Sequence, residues 1–163
     1  MDQNKAHYVV ATAIIVKNGK FLITKRSPNE KAFPNLWTVP GGKLEVNDYI
    51  KKPKDTENCW YNAIESLLKR EVKEETSLEI KNIKYLTSLA FIRPDNVPVI
   101  VLSFSADYHE GKVMLSKDMT DHAWVDINEA KNYELIDGIY GELEMLHNHL
   151  KGKSQESWKK SGS

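Results

Sequence analysis

Asn62-Ala-Ile-Glu-Ser-Leu-Leu-Lys-Arg-Glu-Val-Lys-Glu-Glu-Thr76 is the stretch that decides the fold, because it carries the clearest helical period in the chain. The apolar residues on it and just before it recur at three- and four-residue intervals: Trp60, Ile64, Leu67, Leu68 and Val72. This spacing predicts an amphipathic helix that begins near Asn58 or Asn62, ends at about Thr76 and packs its apolar stripe on the rest of the protein.

Carboxylates share the inward face of this helix. On a wheel of about 100° per residue, Glu71 and Glu75 fall inside the apolar stripe and Glu74 falls at its edge. Burying an ionised carboxylate costs on the order of several kcal/mol unless it is paired, and crowded like charges oppose one another's ionisation. Of the nearby basic residues only Arg70 lies close to the acidic edge, so a hard divalent cation with oxygen ligands meets the requirement better.

An alternative interpretation of the wheel is left open by the sequence. If the helix frays after Val72, the acids are an ordinary solvated helix end, and helix boundaries are the least reliable feature of a sequence. On either interpretation the outer face of the helix is predicted to be solvated. Its residues are Asn62, Glu65, Ser66, Lys69, Lys73 and Thr76.

Strand patterns surround the helix on both sides. The β-branched run 8–16 is followed by Asn18-Gly19, a tight-turn signal, and by a second strand at 21–23. Further strands are predicted at 37–39, 83–92, 97–108, 113–115 and 123–125, and Gly138 to Leu150 has helical spacing. The order of elements predicts a mixed α/β domain over residues 1–150, followed by a flexible polar tail, 151–163.

Composition limits the classes of function. The chain has 163 residues, with 23 Lys plus Arg against 23 Asp plus Glu, so no global field recruits nucleic acid or an acidic membrane. The apolar run before Lys17 is too short to span a membrane. The single cysteine, Cys59, excludes an internal disulfide and fits a reducing compartment, so the cytoplasm is the expected location.

Two segments of the sequence together resemble the Nudix box of the Nudix (MutT-like) hydrolases. Gly41-Gly-Lys-Leu-Glu-Val-Asn-Asp48 matches its first half and Arg70-Glu-Val-Lys-Glu-Glu-Thr-Ser-Leu78 its second half, with Trp37 and Pro40 as the usual lead-in. The likeness covers about residues 7 to 150. It implies a Nudix-type α/β/α sandwich with a central mixed β-sheet.

The match departs from the family pattern at three places. Asp48 stands where the family usually has Glu, and Ser77 replaces the glycine after the helix. The two halves are separated by 14 more residues than usual, an insertion placed at about 49–62. The acid-bearing half is complete, so we expect metal binding to survive the insertion.

The resemblance implies magnesium-dependent hydrolysis of a diphosphate bond in a nucleoside triphosphate or a related nucleoside diphosphate derivative, with manganese as an alternative ion. Magnesium would bind Glu71, Glu74, Glu75 and the carbonyl of Gly41. Glu74 is the first choice for the general base, with Glu71 close behind, and Arg70 would fix the glutamates. The family's late-loop acid would be Asp118 or Asp121, although an ordinary polar turn explains both equally well.

Candidate substrate contacts lie outside the box. Cationic and aromatic side chains suited to a phosphate or a base are Lys25, Arg26, Phe33, Trp37 and Arg93. Each is a weak signal alone, since aromatic residues such as Phe33 and Trp37 are more often part of a core.

The sequence leaves several functions open. ADP-ribose or a dinucleoside polyphosphate is the alternative substrate, and a Nudix module that binds a nucleotide without cutting it is the alternative class. We expect a small-molecule nucleotide as partner, and neither nucleic acid nor membrane. The inserted segment, with Tyr49 and several lysines, suggests a lid over the phosphates or a homodimer contact, against the simpler interpretation of a tolerated surface loop.

Overall fold

The structure, a computed structural model, describes residues 1–162. Strand β1 (Tyr8–Lys17) turns at Asn18-Gly19, both with positive φ, into β2 (Lys20–Arg26). Two short strands follow, β3 (Trp37–Thr38) and β4 (Gly41–Lys43), and then a 3-10 turn (Val46–Asp48) and helix α1 (Ala63–Thr76). The long strands β5 (Glu79–Ile92) and β6 (Pro98–Glu110), strand β7 (Met119–Val125), a second 3-10 turn (Glu129–Asn132) and helix α2 (Ile139–Leu150) complete the domain.

A seven-stranded mixed sheet forms the centre of the molecule. Its main path is β3-β2-β1-β6-β5, with β4 paired to β1 and β7 paired to β2. The β1–β6 pair is parallel and the other pairs are antiparallel.

The two helices lie on opposite faces of this sheet, because successive residues of a strand point to opposite sides. Ala11, Ala13 and Ile15 of β1 pack with the buried residues of α1, whereas Ile14 packs with those of α2. Two apolar clusters therefore sandwich the sheet, and the predicted α/β/α architecture is confirmed. Among the described residues no helix is long and apolar enough to cross a bilayer.

One predicted strand is wrong. Residues 113–115 are extended but pair with no strand. Instead, the backbone N–H groups of Met114 and Ser116 donate to the carbonyls of Thr76 and Glu75, both at 3.0 Å. The last turn of a helix leaves carbonyls without intrahelical partners, and this segment supplies donors to them. The segment therefore contacts a helix end, and Val113 packs on the apolar cluster that includes α1.

The boundaries of α1 agree with the predicted helix, and its inner residues Leu67, Leu68 and Val72 are fully buried. Thr76 was predicted to face outward and is instead buried, with its hydroxyl donating to the carbonyl of Val72 at 2.6 Å. The hydroxyl satisfies itself within the helix, which lets a polar residue occupy a buried position. The helix does not fray after Val72.

The segment after α2 runs back along that helix. The N–H of Lys153 and the side chain of Asn148 hold its beginning, and the indole N–H of Trp158 donates to the carbonyl of Gly138 at 3.2 Å. The indole lies against Gly141, where a Cβ would collide with it. Ser163, the last residue of the predicted flexible tail 151–163, lies outside the described residues, and the flexibility of that tail stays a prediction.

Candidate active site

The glycine pair of β4 lies directly against the acidic end of α1. Gly41 is opposite Thr12 in the β1–β4 ladder, at a pair whose backbone groups do not bond across the two strands, and its N–H donates instead to Glu75 Oε2 at 3.2 Å. The N–H and C=O of one strand residue point to the same side, so the Gly41 carbonyl also faces α1. A Cβ on Gly42 would occupy the space of the Glu71 carboxyl group. Gly42 is therefore required by the close approach of the helix, and Gly41 by the close approach of β1, since a Cβ there would meet the backbone of Ala11 and Thr12.

Arg70 connects the acids of the two halves of the motif. Its Nε donates to Asp48, and its Nη1 lies 2.9 Å from Glu71 Oε1 and 3.0 Å from Glu74 Oε2. Asp48 also accepts a hydrogen bond from the Glu45 N–H at 2.8 Å. The guanidinium thus holds three carboxylates in one cluster.

The three acids of α1 differ in how deeply they are buried. The side chain of Glu74 is 60% exposed, whereas that of Glu71 is 16% exposed and Glu75 is half-buried against Gly41. Burial raises the pKa of Glu71, opposed by Arg70. Burial also raises the pKa of Glu75 to about 8, opposed by the hydrogen bond from the Gly41 N–H. Glu75 therefore needs a further positive partner to remain ionised at neutral pH.

The pKa values of Asp48 and Arg70, which form an ion pair, are shifted in opposite directions. Burial would raise the pKa of Asp48, but the hydrogen bonds from Arg70 and from the Glu45 N–H outweigh it and hold that pKa below its ordinary value. The pKa of Arg70 is raised, chiefly by its hydrogen bond to Asp48. Both shifts favour the charged forms, so Asp48 and Arg70 form a charged pair beside the acids of α1.

The donor set fits a hard divalent cation. The groups at the site are the carboxylates of Glu71, Glu74 and Glu75 and the carbonyl of Gly41, all of them oxygen ligands. Within residues 1–162, no three carboxylate, imidazole or thiolate side chains already stand in a metal-binding arrangement. The carboxylates are instead turned to Arg70 and Gly41, and exposed Glu74 is the one most free to change rotamer.

The predicted substrate contacts divide between the two faces of the sheet. Arg26 lies on the α1 face of β2, and its charge acts on Glu75, although its Nη2 is paired with Glu30 at 2.8 Å. Lys25 and Trp37 are opposite each other on the α2 face, where Trp37 packs edge-on against Tyr133 with ring centres 4.7 Å apart. Only Arg26 is thus brought next to the acids.

The other two candidates, Phe33 and Arg93, lie in connecting loops. Phe33 is 46% exposed, in the loop before β3, with a positive φ of 53°. Arg93 lies in the turn after β5, paired with Asp95 and stacked over the ring of Tyr8. The turn that carries Arg93 joins β5 to β6, whereas Arg26 ends β2, on the other side of β1.

The two candidate late-loop acids have different surroundings. Asp118 precedes β7, its carbonyl accepts from the Ser27 N–H, and its charge helps to raise the pKa of Glu75. Asp121 lies within β7 opposite Lys25, and its carboxylate accepts from the His122 N–H at 2.8 Å. Of the two, Asp118 is the one placed to act with the acids of α1.

Sequence reasoning missed one buried acid, which lies on the face of the sheet opposite the acids of α1. Glu142 of α2 is 2% exposed and accepts a hydrogen bond from Ser103 Oγ at 2.7 Å. Ser103 is opposite Thr12, which is itself opposite Gly41, so a polar row crosses the sheet from the glycine pair. A wheel centred on Ile139, Leu143 and Leu146 places Glu142 on the buried stripe, which is the signal that would have found it.

This fold and site define a class of protein: an α/β/α sandwich whose glycine strand meets the acidic end of a helix, with an arginine holding the acids. The family model described as NUDIX domain matches residues 7–144, most of the chain. The chain belongs to the NUDIX domain family, and the predicted family is confirmed.

Curated relatives share the sequence pattern. The chain is 27% identical over 131 residues to the NAD-capped RNA hydrolase NudC of Vibrio atlanticus (strain LGP32), a match that covers 80% of this chain and 42% of the relative. It is 23% identical over 137 residues to the nucleoside triphosphatase NudI of Klebsiella pneumoniae (strain 342), covering 77% and 86%. The chain spans less than half the length of the NudC relatives it matches. The names of both relatives support the predicted enzyme class, a Nudix pyrophosphohydrolase.

Solved structures share the fold. The MutT NUDIX hydrolase from Burkholderia pseudomallei superposes with a TM-score of 0.69 at 19% identity, covering 87% of this chain and 99% of the other. The NUDIX domain of Shewanella oneidensis NrtR, complexed with ADP ribose, superposes with a TM-score of 0.67 at 18% identity and covers 90% of each chain. At these identities the likeness concerns the fold alone.

Proposed function

We propose that this protein is a magnesium-dependent pyrophosphohydrolase that cuts a diphosphate bond in a nucleoside triphosphate or a related nucleoside diphosphate derivative. The observation that carries the proposal is the contact of Gly41 and Gly42 with Glu75 and Glu71. Two glycines in contact with two half-buried acids form an oxygen-rich site. Such a site suits a divalent cation and the phosphates it binds.

Glu71, Glu74, Glu75 and the carbonyl of Gly41 would hold the metal. When bound, magnesium supplies positive charge that screens the diphosphate and makes attack by water feasible. Manganese has the same preference for oxygen ligands and is the alternative ion.

Glu74 is proposed as the general base that accepts the proton of the attacking water. Its carboxylate is the most exposed of the three, and Arg70 holds it at 3.0 Å, so it can reach a water molecule and stay oriented. Glu71 is the second choice, because Gly42 and Arg70 confine it. Asp118 is the proposed late-loop acid, because its charge reaches Glu75.

Arg26 is the strongest candidate for a phosphate contact, because it shares the α1 face with the acids. Lys25, Phe33, Trp37 and Arg93 are retained as proposed substrate contacts. The positions of Lys25 and Trp37 on the opposite face suit the nucleoside end of a substrate better than its phosphates.

The nucleoside triphosphate is the preferred substrate because the NudI relative, which the chain matches over most of both lengths, is named for that activity. ADP-ribose and dinucleoside polyphosphates are the alternatives, and the NrtR neighbour was solved with ADP ribose. A small-molecule partner, a cytoplasmic location and the absence of a nucleic-acid substrate belong to the same proposal, supported by the balanced charge and the lone, exposed Cys59.

A substrate panel tests the proposal. Release of the cleavage products is measured by chromatography with magnesium, with manganese and with chelator: pyrophosphate or phosphate from nucleoside triphosphates, and nucleotides from ADP-ribose, NAD and dinucleoside polyphosphates, whose cleavage frees no phosphate. We expect metal-dependent release from at least one of them, fastest with nucleoside triphosphates. No turnover of any compound, with binding retained, would favour the non-catalytic nucleotide-binding module.

Glu74→Gln tests the role of the base. General bases contribute roughly 10²- to 10⁴-fold, so we expect kcat to fall by that order while binding of manganese weakens less. Glu65→Gln, on the same helix but away from Arg70, is the matched control and should leave kcat unchanged. Equal rates for Glu74→Gln and the native chain would refute the assignment.

A further inference from the structure

A second cavity lies beyond the C-terminal end of α1, outside the acid cluster. Its volume is about 280 Å³, and its walls include Leu78, Gly111 and Val113, with Tyr108 and Trp124 as the aromatic residues. None of the catalytic or metal-binding residues proposed above lines it. The cavity therefore needs an explanation of its own.

The aromatic walls are fixed in place. The rings of Tyr108 and Trp124 meet edge to face, at 86° with centres 6.3 Å apart. The Tyr108 hydroxyl donates to the carbonyl of Gly111 at 2.8 Å, and Gly111 lies against Ser77 with a positive φ of 106°. The Tyr108 ring, held by the backbone of Gly111, and the perpendicular Trp124 ring form a rigid surface on which a planar group can pack.

The cavity is positively charged. Lys17, Lys112 and His122 line it, and within the part of the chain described here no acidic residue does. The Lys17 ammonium lies 3.9 Å from the ring centre of Tyr108 and 5.8 Å from that of Trp124. Neither Lys17 nor Lys112 forms an ion pair with a carboxylate among residues 1–162.

Lys17 and Lys112 bring positive charge to this cavity, although the chain as a whole has a formal net charge of zero. Cations without counter-ions favour an anionic ligand, and lysine ammonium groups are point donors to phosphate. A cationic ligand, the usual guest of paired aromatic rings, would be repelled by the lysines already present.

We propose that this cavity is a second ligand site, which binds a nucleoside monophosphate with its phosphate against Lys17 and Lys112 and its base against the aromatic pair. Rings and lysines together are the combination that binds nucleotides without reading their sequence. Its volume is just below the range of roughly 300–1,000 Å³ usual for ligand pockets, so the site takes one nucleotide unit. The site requires no metal and is independent of the proposed hydrolysis.

Binding of AMP to the full chain in the presence of chelator tests this proposal by NMR. Without divalent metal, the acid cluster repels the phosphate and only the second site should respond. We expect saturable shifts of the Trp124 indole N–H and of the amides of Gly111, Lys112 and His122. Inorganic phosphate and adenosine, each carrying half of the recognised chemistry, should bind more weakly than AMP.

Two pairs of lysine substitutions sharpen the test. Lys17→Met with Lys112→Ala should weaken AMP binding by about a hundredfold, which is about tenfold for each lost charged contact. Lys81→Ala with Lys84→Ala, exposed positions of β5, removes the same charge away from the cavity and should change little. Lys112→Ala alone removes an exposed side chain and should fold normally, so it still tests the site if the double variant misfolds.

Three outcomes would overturn the proposal: shifts confined to the region of Gly41 and Glu74, equal affinity for phosphate and AMP, or unchanged affinity in the Lys17→Met, Lys112→Ala variant. A short oligoadenylate run in parallel identifies the source of the nucleotide. Tighter binding than AMP points to a nucleic-acid end, and equal or weaker binding points to a free mononucleotide.

Discussion

Asp48 and Arg70 form an ion pair across 22 positions of sequence, and this contact closes the inserted segment. The side chain of Asp48 is 4% exposed and that of Arg70 is 33% exposed. Asp48 ends a 3-10 turn and Arg70 lies in the middle of α1, so the pair fixes the first half of the motif to the second. The shorter arm of Asp is sufficient here because the turn brings its carboxylate onto the guanidinium.

Arg70→Met should destabilise the protein as well as inactivate it. The substitution leaves buried Asp48 and half-buried Glu71 without their positive partner, and we expect a loss of about 2 to 3 kcal/mol in the free energy of unfolding. Urea unfolding at neutral pH measures this loss. Lys69→Met, the exposed neighbour, is the control and should change stability by no more than about 0.5 kcal/mol. Equal stability of the two variants would show that the pair does not support the fold.

Deletion of residues 50–58 should leave metal binding intact, because none of the proposed ligands lies in the inserted segment. That segment is held by its own contacts: the rings of Tyr49 and Trp60 are 5.4 Å apart, and the Trp60 indole donates to the carbonyl of Lys52 at 2.9 Å. Manganese relaxation measures the binding. Loss of manganese binding would show that the segment supports the acids.

The same deletion separates the roles suggested for the insertion. An increased Michaelis constant would support the lid, and a change from dimer to monomer mass in solution would support the homodimer contact. Unchanged Michaelis constants and mass would remove both ideas and leave a tolerated surface loop.

The two glycines of β4 should respond differently to alanine. In Gly42→Ala the new Cβ meets the Glu71 carboxyl group, the flexible end of a side chain, so the fold should survive while kcat falls at least about tenfold. In Gly41→Ala the Cβ meets the backbone of Ala11 and Thr12, which cannot yield, and we expect a loss of about 1–3 kcal/mol in stability. Thermal unfolding and steady-state kinetics on both variants check the contrast. A Gly42→Ala enzyme with native kcat would exclude Glu71 from the site.

Periodicity in the sequence predicted the elements that carry the site. The helix ends at Thr76 as the spacing of Leu67, Leu68 and Val72 requires, and its acids do reach the glycine strand. The family motif located this contact, because the register that brings Gly41 onto Glu75 joins residues 34 positions apart. No local pattern encodes such a contact.

The two wrong predictions share one physical cause. In both, polar groups form hydrogen bonds with partners that the residue type alone does not indicate. Thr76 was placed outside because it is polar, yet its hydroxyl bonds within its own helix. Residues 113–115 are all apolar, as in a short buried strand, yet the backbone N–H of Met114 donates to a carbonyl of α1. Side-chain exposure and backbone pairing both depend on these partners, which the sequence does not reveal.

Glu142→Gln should stabilise the protein at neutral pH, and the gain should disappear in acid. Burial raises the pKa of Glu142 above 4.5 despite the hydrogen bond from Ser103, so the folded state prefers the protonated acid. The unfolded chain ionises first as pH rises, and stability is therefore lost between pH 4.5 and the raised folded pKa. Below that window the native side chain is neutral in both states, and Gln offers no advantage.

The measurement is urea unfolding of the Glu142→Gln variant and the native chain across this range of pH. Glu144→Gln, half-exposed on the same helix, is the control, and its difference from the native chain should not follow the same curve. A stability difference for Glu142→Gln that is constant with pH would mean that the acid does not titrate differently in the folded and unfolded states. The buried carboxyl would then be ionised in the native protein, held by groups other than Ser103.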